Sequence, residues 1–342
     1  MNILLTSVGR RSYIIDYFQE AIGPNGRIIA TNSAYTHAMT KANAAFISPM
    51  IYDQSYIPFI EDICRKESVD AILSLFDIDL PILAKNYKHF ENLGTKFVGP
   101  SYKTALISND KLKTYEFFVS LGIRTPQTSI DLSKVVENIE MNHYEFPLII
   151  KPRWGMGSIG VYIIRSIEEL KVLYKKCLFE IENTYLKYES ISDTHGMVII
   201  QEFIEGQEYG LDIYKDLSGR FVAAAAKKKI EMRSGETDIG ETVDVAPFAS
   251  LIDRIAQFLE FTGLLSVDCL LTDLGVYGIE INPRISGHYP FSHLAGARYP
   301  HQLVNWLEGK DTDLRLLNTK VGVHGCKMLT PSIFPDATDI FR

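Results

Sequence analysis

Short apolar runs alternate with amphipathic stretches over the first hundred residues. Residues 2–6 (Asn-Ile-Leu-Leu-Thr), 27–31, 71–75 and 96–98 are runs of strand length bounded by Gly, Pro or polar turns. Between them Ile14, Ile15, Tyr17 and Phe18 recur at helical spacing after the turn Val8-Gly9-Arg10-Arg11-Ser12, and 58–66 and 81–87 also read as helical. Strands alternating with helices predict a parallel sheet with crossovers, whose ligands collect beyond the carboxyl ends of the strands. Ser7, Gly9, Arg10, Asn32, Asp77 and Asp79 fall there. No Gly-x-Gly-x-x-Gly follows the first strand, so dinucleotide binding has little support.

The pattern changes after Pro100. A helix over 111–121 stops at Gly122, and Thr125-Pro126 restarts the chain in extended form. Strands are predicted over 147–151, 160–164, 198–202, 209–214, 221–228, 265–272 and 276–281, with helices over 167–178 and 250–262. Residues 182–196 are polar and aperiodic, which predicts a mobile loop. The expected units are 1–100, 101–195 and 196–342.

Two segments carry chemistry. In Phe146-Pro147-Leu148-Ile149-Ile150-Lys151-Pro152-Arg153-Trp154-Gly155-Met156-Gly157-Ser158-Ile159-Gly160 a buried strand delivers a lysine to the start of a glycine-rich turn. Glycines let backbone amides approach a phosphate while the lysine supplies a point charge. Lys151 precedes the glycines, so this is not a Walker A loop. In the second, the predicted strands 265–272 and 276–281 flank Asp273-Leu274-Gly275. Pairing Thr272 with Val276 sets Asp268 opposite Glu280, with Asn282 on the same face. Opposed carboxylates need a positive charge between them, so Asp268, Glu280 and Asn282 form a candidate hard-cation site.

Weaker candidates surround these. Arg284, just past the metal strand, suits a phosphoryl group or a substrate carboxylate. The strand end Gln201-Glu202-Phe203-Ile204, with Glu208 beyond, offers an adenine edge and a ribose contact. Lys227, Arg233 and His288 are candidate substrate contacts.

Composition narrows the class. The chain has 342 residues, 46% hydrophobic and 23% charged, enough for two or three packed units. A net charge of -7 argues against a broad nucleic-acid footprint. Cys64, Cys177, Cys269 and Cys326 form neither a zinc spacing nor a disulfide framework, which fits a reduced, cytoplasmic setting. The N-terminal run has no basic segment before it and is too short for a signal sequence. No apolar run approaches the roughly 20 residues of a membrane span.

The order of these motifs resembles the ATP-grasp superfamily, and more narrowly one synthetase half of the carbamoyl phosphate synthase large subunit. The match is carried by Asn109-Asp110-Lys111, Gly122-Ile123-Arg124-Thr125-Pro126, Ile150-Lys151-Pro152 with its glycine loop, Gln201 to Glu208, and Glu280-Ile281-Asn282-Pro283-Arg284-Ile285-Ser286-Gly287. Val8-Gly9-Arg10-Arg11 is similar to a turn of small carbamoyl-phosphate-synthase-like ATP-grasp proteins. The resemblance implies an α/β plus α+β fold, an N-terminal Rossmann-like (preATP-grasp) domain followed by a two-lobed ATP-grasp fold. It implies ATP and Mg²⁺ (or Mn²⁺), with Lys111, Lys151, Gly155, Gly157, Ser158 and Gly160 at the phosphates. Glu202, Phe203 and Ile204 would form the adenine hinge, Glu208 would bind ribose, and Asp268, Glu280 and Asn282 would hold the metal. Arg284 would steady an acyl phosphate.

The chain has room for one synthetase half, and carbamoyl phosphate synthesis needs two phosphorylations. The expected activity is therefore a ligase that joins a small carboxylate to an amine, as a possible homodimer, without nucleic-acid or membrane partners. Bicarbonate phosphorylation for reaction with ammonia, and a non-catalytic nucleotide-binding regulatory subunit, are the alternatives.

Overall fold

A computed structural model of the chain describes residues 1–331 and 333, apart from 142, 158 and 192. The first sheet contains β1 (Asn2–Thr6), β2 (Arg27–Asn32), β3 (Ala44–Ile47), β4 (Ala71–Ser74) and β5 (Lys96–Phe97), in the order β3-β2-β1-β4-β5. Its pairings are parallel, and β1 lies at the centre. Burial on both faces explains why β1 is a continuous apolar run rather than an alternating one. Ile3 and Leu5 join the core that contains Ile14, Ile15 and Phe18 of α1 (Ser12–Ile22), whereas Leu4 joins Ile60 and Ile63 of α2 (Tyr56–Lys66). Two further helices, α3 (Asp79–Lys85) and α4 (Tyr87–Glu91), lead into β5.

Asp79 does not face a ligand. It is fully buried and accepts hydrogen bonds from Thr6, Ser7, Ser74 and Tyr56, tying β1, β4 and α2 together.

Next come α5 (Tyr102–Asn109) and α6 (Lys111–Ser120). The second sheet, in the order β6-β9-β7-β8, holds β6 (Thr128–Ser129), β7 (Leu148–Pro152), β8 (Tyr162–Ile164) and β9 (Val198–Glu202). Its core closes under α7 (Leu132–Glu140), α8 (Ile167–Glu182) and α9 (Leu186–Ser190). β9 belongs to this sheet, so the division expected at 195/196 falls after Glu202 in the sheets. The segment expected to be an aperiodic loop contains α9, and Leu186 is fully buried.

The third sheet, in the order β14-β13-β10-β11-β12-β15, contains β10 (Gln207–Lys215), β11 (Phe221–Arg233), β12 (Glu236–Val243), β13 (Gly263–Thr272), β14 (Gly275–Asn282) and β15 (His324–Cys326). Its pairings are antiparallel. Leu211, Ile213, Val267, Cys269 and Ile281 pack with Ile252 and Ile255 of α10 (Ala249–Phe258) and Phe118 of α6. Side chains alternate along strands, so this core sends Glu208, Asp212, Lys227, Lys229, Asp268, Glu280 and Asn282 to the opposite face. The last helices are α11 (Tyr289–Leu294) and α12 (Tyr299–Leu307); Tyr289, Tyr299 and Leu303 join the first sheet's core.

Candidate active site

The pairing of Asp268 with Glu280 is present, but it arises differently from the expectation. Thr272 pairs with Gly275, not Val276, and that register alone would set Asp268 against Ile279. A bulge between Asp268 and Cys269 absorbs the offset and restores Glu280 as the partner. The turn estimate and the missing bulge cancel.

Lysines supply the charge that offsets these acids. Lys229 Nζ lies 2.7 Å from Asp268 Oδ1 and 2.6 Å from Glu208 Oε1, while Lys111 Nζ lies 3.1 Å from Glu280 Oε1. Both carboxyl groups are held ionised: burial alone would raise them, but the Lys229 ammonium outweighs it at Asp268, and Lys111 and Lys151 at Glu280. Asn282 Nδ2 is 3.4 Å from Asp268 Oδ2. Two ionised carboxylates and an amide oxygen match the donor set of a hard divalent cation, which takes its remaining ligands from phosphates and water. Among the described residues no group of three or more His, Cys, Asp or Glu is placed to hold a metal.

Lys151 reaches the same place from the second sheet. Leu148, Ile150 and Pro152 of β7 face its core, which turns Lys151 to the cleft. Burial, then the neighbouring Lys111 ammonium, push Lys151 down to about 8 against the pull of Glu280 and Glu208. Lys111 opens α6 and donates to the Gly155 carbonyl at 2.6 Å. The two lysines are braced by residues absent from the sequence-derived site. Asp110 caps α6 through Leu112 N–H and Lys113 N–H and forms a buried two-point pair with Arg153 at 2.7 Å. Arg153 also binds Asp193 at 2.7 Å and lies 4.3 Å over the Trp154 ring. The order Asp110-Lys111 and Lys151-Pro152-Arg153 was the available signal, but the contact joining them spans 43 residues.

The glycine turn is constrained by close approach. Gly155 has φ +130°, and a Cβ there would fall 2.6 Å from Leu186 Cδ2. Gly157 (φ +70°) meets Gly235 (φ +75°) at the tip of the β11–β12 hairpin, where a Cβ on Gly235 would lie 2.6 Å from Gly157 Cα. Gly160 packs on Pro152, and Ser158 lies outside the described residues. Glu202, at the end of β9, is exposed and exchanges hydrogen bonds with Gln127, and Phe203 and Ile204 follow half-buried. Glu208 is already paired to Lys229. Between Lys111, Gly155, Glu280, Asn282 and Asp77 the cavity is only about 10 Å³, room for roughly one water.

The remaining candidates separate. Lys227 is fully buried, 2.5 Å from Asp212 Oδ2, so it lies beneath the cleft face while Lys229 reaches the acids. His288 is buried 3.5 Å from both Asp212 Oδ1 and Asp268 Oδ1, against Gly210. Burial, then Lys227, push it down to about 4, which leaves the ring neutral near pH 7. Arg284 is buried, pairs with Asp77 and donates to Asn282 Oδ1 at 3.3 Å. Arg233 pairs with Asp238 on the exposed end of β11 and does not join the site.

The parallel first sheet, the two antiparallel lobes and the lysine–carboxylate cleft between them define a class. The chain belongs to the ATP-grasp family, whose domain model matches residues 108–288, just over half of it. Residues 3–98 match the model of the PylC-like N-terminal domain.

Among relatives, the carbamoyl phosphate synthase large chain, N-terminal section, of Aquifex aeolicus is 24% identical over 285 residues, covering 76% of this chain and 47% of its own length. The carbamoyl-phosphate synthase of Methanobrevibacter smithii is 24% identical over 321 residues, covering 89% and 80%. The chain spans only 23% of the Thermoplasma volcanium large chain. Two solved structures share the fold. One is the biotin carboxylase domain dimer of Hydrogenobacter thermophilus 2-oxoglutarate carboxylase with MgADP, ADP and bicarbonate (TM-score 0.68, 18% identity, 91% of this chain and 70% of that one). The other is Staphylococcus aureus N5-carboxyaminoimidazole synthetase with ADP (TM-score 0.67, 16% identity, 91% and 78%). Among the described residues no helix is long and apolar enough to cross a membrane.

Proposed function

We propose that the chain is an ATP-dependent carboxylate–amine ligase acting through an acyl phosphate. The convergence of Lys111, Lys151, Lys229, Asp268 and Glu280 carries this reading: fixed cations beside ionised acids, where a triphosphate and its metal must be neutralised together. Asp268, Glu280 and Asn282 would hold Mg²⁺, which offsets phosphate charge when bound. Lys111 and Lys151 bind and orient the triphosphate, Gly155, Gly157 and Gly160 admit it closely, and Glu202 to Ile204 edge the adenine. Ser158 and the ribose contact of Glu208 belong to the same proposal.

A substrate carboxylate oxygen attacks the γ-phosphorus, the bond to the β-phosphate oxygen breaks, and ADP leaves. The amine then attacks the acyl carbon, loses a proton and expels inorganic phosphate. Arg284, fixed by Asp77, steadies the acyl phosphate. The three units assigned to this work are a Rossmann-like domain over 1–100 and two clamping lobes, in a cytoplasmic homodimer.

The test is ADP release from MgATP across a panel of carboxylates and amines. Glu280→Gln and Lys151→Ala should abolish release while leaving the circular dichroism of the fold unchanged, and full turnover in either sinks the assignment. The carbamoyl phosphate synthase relatives favour a second reading, in which bicarbonate is the carboxylate and ammonia the amine.

A further inference from the structure

A second cavity, of about 420 Å³, adjoins the phosphate cleft between α3, α5, the start of α6 and the α9 segment. Small-ligand sites span roughly 300–1,000 Å³, so this space is large enough for one. Ile78 and Asn109 line both cavities, but Lys111, Glu280 and Asn282 do not line the larger one.

Its walls are of two kinds. Ile78, Pro81, Ile82, Leu106 and Trp154 are apolar. The acids opposite them already have donors. Asp110 accepts from Arg153 Nε and Nη2 at 2.7 Å, and Asp193 accepts from Arg153 Nη1 at 2.7 Å. Glu189 accepts from Tyr52 OH at 2.7 Å and Asn109 Nδ2 at 2.5 Å. The cations are not used up. A guanidinium has five N–H groups, and these bonds take one from each nitrogen, which leaves one on each terminal nitrogen of Arg153. Lys113 lines the cavity, is exposed, and its ammonium has no ion pair among the described residues. Spare cationic donors beside an apolar wall select an anion with an apolar body.

We propose that this cavity is a regulatory site for an amphipathic monocarboxylate, an aryl or branched alkyl acid. Lys113 and Arg153 hold its carboxylate, and Ile82, Leu106 and Trp154 cover its body. The occupant bridges α6, which carries Lys111, to the end of β7, which carries Lys151. It thereby reinforces the Asp110–Arg153 brace beneath both phosphate lysines. Bound acid tightens MgATP, and MgATP tightens the acid by the same factor. The coupling, but not the site, rests on the placement of ATP at Lys111 and Lys151.

The test is calorimetric titration of the full chain with 3-phenylpropanoate, 4-methylpentanoate, 3-phenylpropan-1-amine and 3-phenylpropan-1-ol. Fluorescence is read in parallel, since Trp154 is one of the chain's two tryptophans. The acids should bind at least about tenfold more tightly than the amine or alcohol, the size of one charged hydrogen bond. Lys113→Gln removes the cation and Leu106→Phe fills the cavity; each should weaken the acids about tenfold with circular dichroism unchanged. Trp154→Phe should abolish the fluorescence change. Saturating 3-phenylpropanoate should lower the Kd of a non-hydrolysable MgATP analogue about fivefold in the parent and not in Lys113→Gln. Acids that do not bind, that bind no tighter than the alcohol, or that are unmoved by Lys113→Gln and Leu106→Phe overturn the site; the last is what a carboxylate seated in the phosphate cleft would give. Nucleotide affinity unchanged at saturating acid overturns the regulatory role. No readout needs turnover, so a chain that never releases phosphate sinks the ligase reading and leaves this one standing.

Discussion

Replacing Gly210 with alanine tests how the cleft face is held. Gly210 sits on β10 between Lys227 and Asp268, and its missing side chain makes the space that the His288 ring fills. An alanine methyl would lie 2.5 Å from Cδ2 and 2.6 Å from Cγ and Nε2 of that ring. Ordinary contact is about 3.5 Å, so the ring must move by about 1 Å. It has little freedom, being 3% exposed and flanked by Asp212 and Asp268.

Overpacking of this kind costs about 1–3 kcal/mol. His288→Ala alone should cost about 2–4 kcal/mol, because it leaves a hole. The double variant should cost little more than His288→Ala, since the new methyl enters that hole. The expected coupling is about 1 kcal/mol or more. Urea unfolding of the four proteins gives the cycle, and ADP release should fall in Gly210→Ala as Asp268 is displaced. A Gly210→Ala protein as stable and active as the parent, or effects that add within about 0.5 kcal/mol, refutes the packing argument.

Lys151 sheds its proton near 8, whereas the unfolded chain keeps it to 10.5. The unfolded state therefore binds more protons between those values, and this group's contribution to stability rises with pH across that window. ATP affinity runs the other way, weakening as pH rises through about 8; a pH profile of KM for ATP checks this, and Lys151→Arg should remove the inflection. Arg153→Ala leaves Asp110 charged and buried, so chemical denaturation should show a loss of about 3–5 kcal/mol. Lys229→Met should lower ATP turnover by at least about a hundredfold, as the opposed acids lose their cation. Lys227→Met should lower the melting temperature and leave KM for ATP within about threefold, since its charge serves Asp212.

The apolar patterns were sufficient to find β1, β2, β4 and the two strands bearing Asp268 and Glu280, because each buries a contiguous or alternating apolar set. β12 was missed because its buried positions include Thr237, Gly240 and Thr242, which lack an apolar signal. β3 is a four-residue strand, and α5 spreads its apolar residues around its axis. The lysine and glycine motif is local and was legible. Choosing Lys229 over Lys227 was not, since both lie on one face and only the position of Asp212 separates them. Arg284 with Asp77 and Arg11 with Glu236 join residues more than two hundred positions apart, and no spacing rule reaches that far.

The meeting of Gly157 with Gly235 has a consequence for the protein's efficiency. At that point backbone approaches backbone, and a Cβ on Gly235 would fall 2.6 Å from Gly157 Cα. A larger residue on the hairpin tip would prop the seam ajar, letting bulk water compete with the amine for the activated acid and turning some of each catalytic cycle into idle ATP hydrolysis.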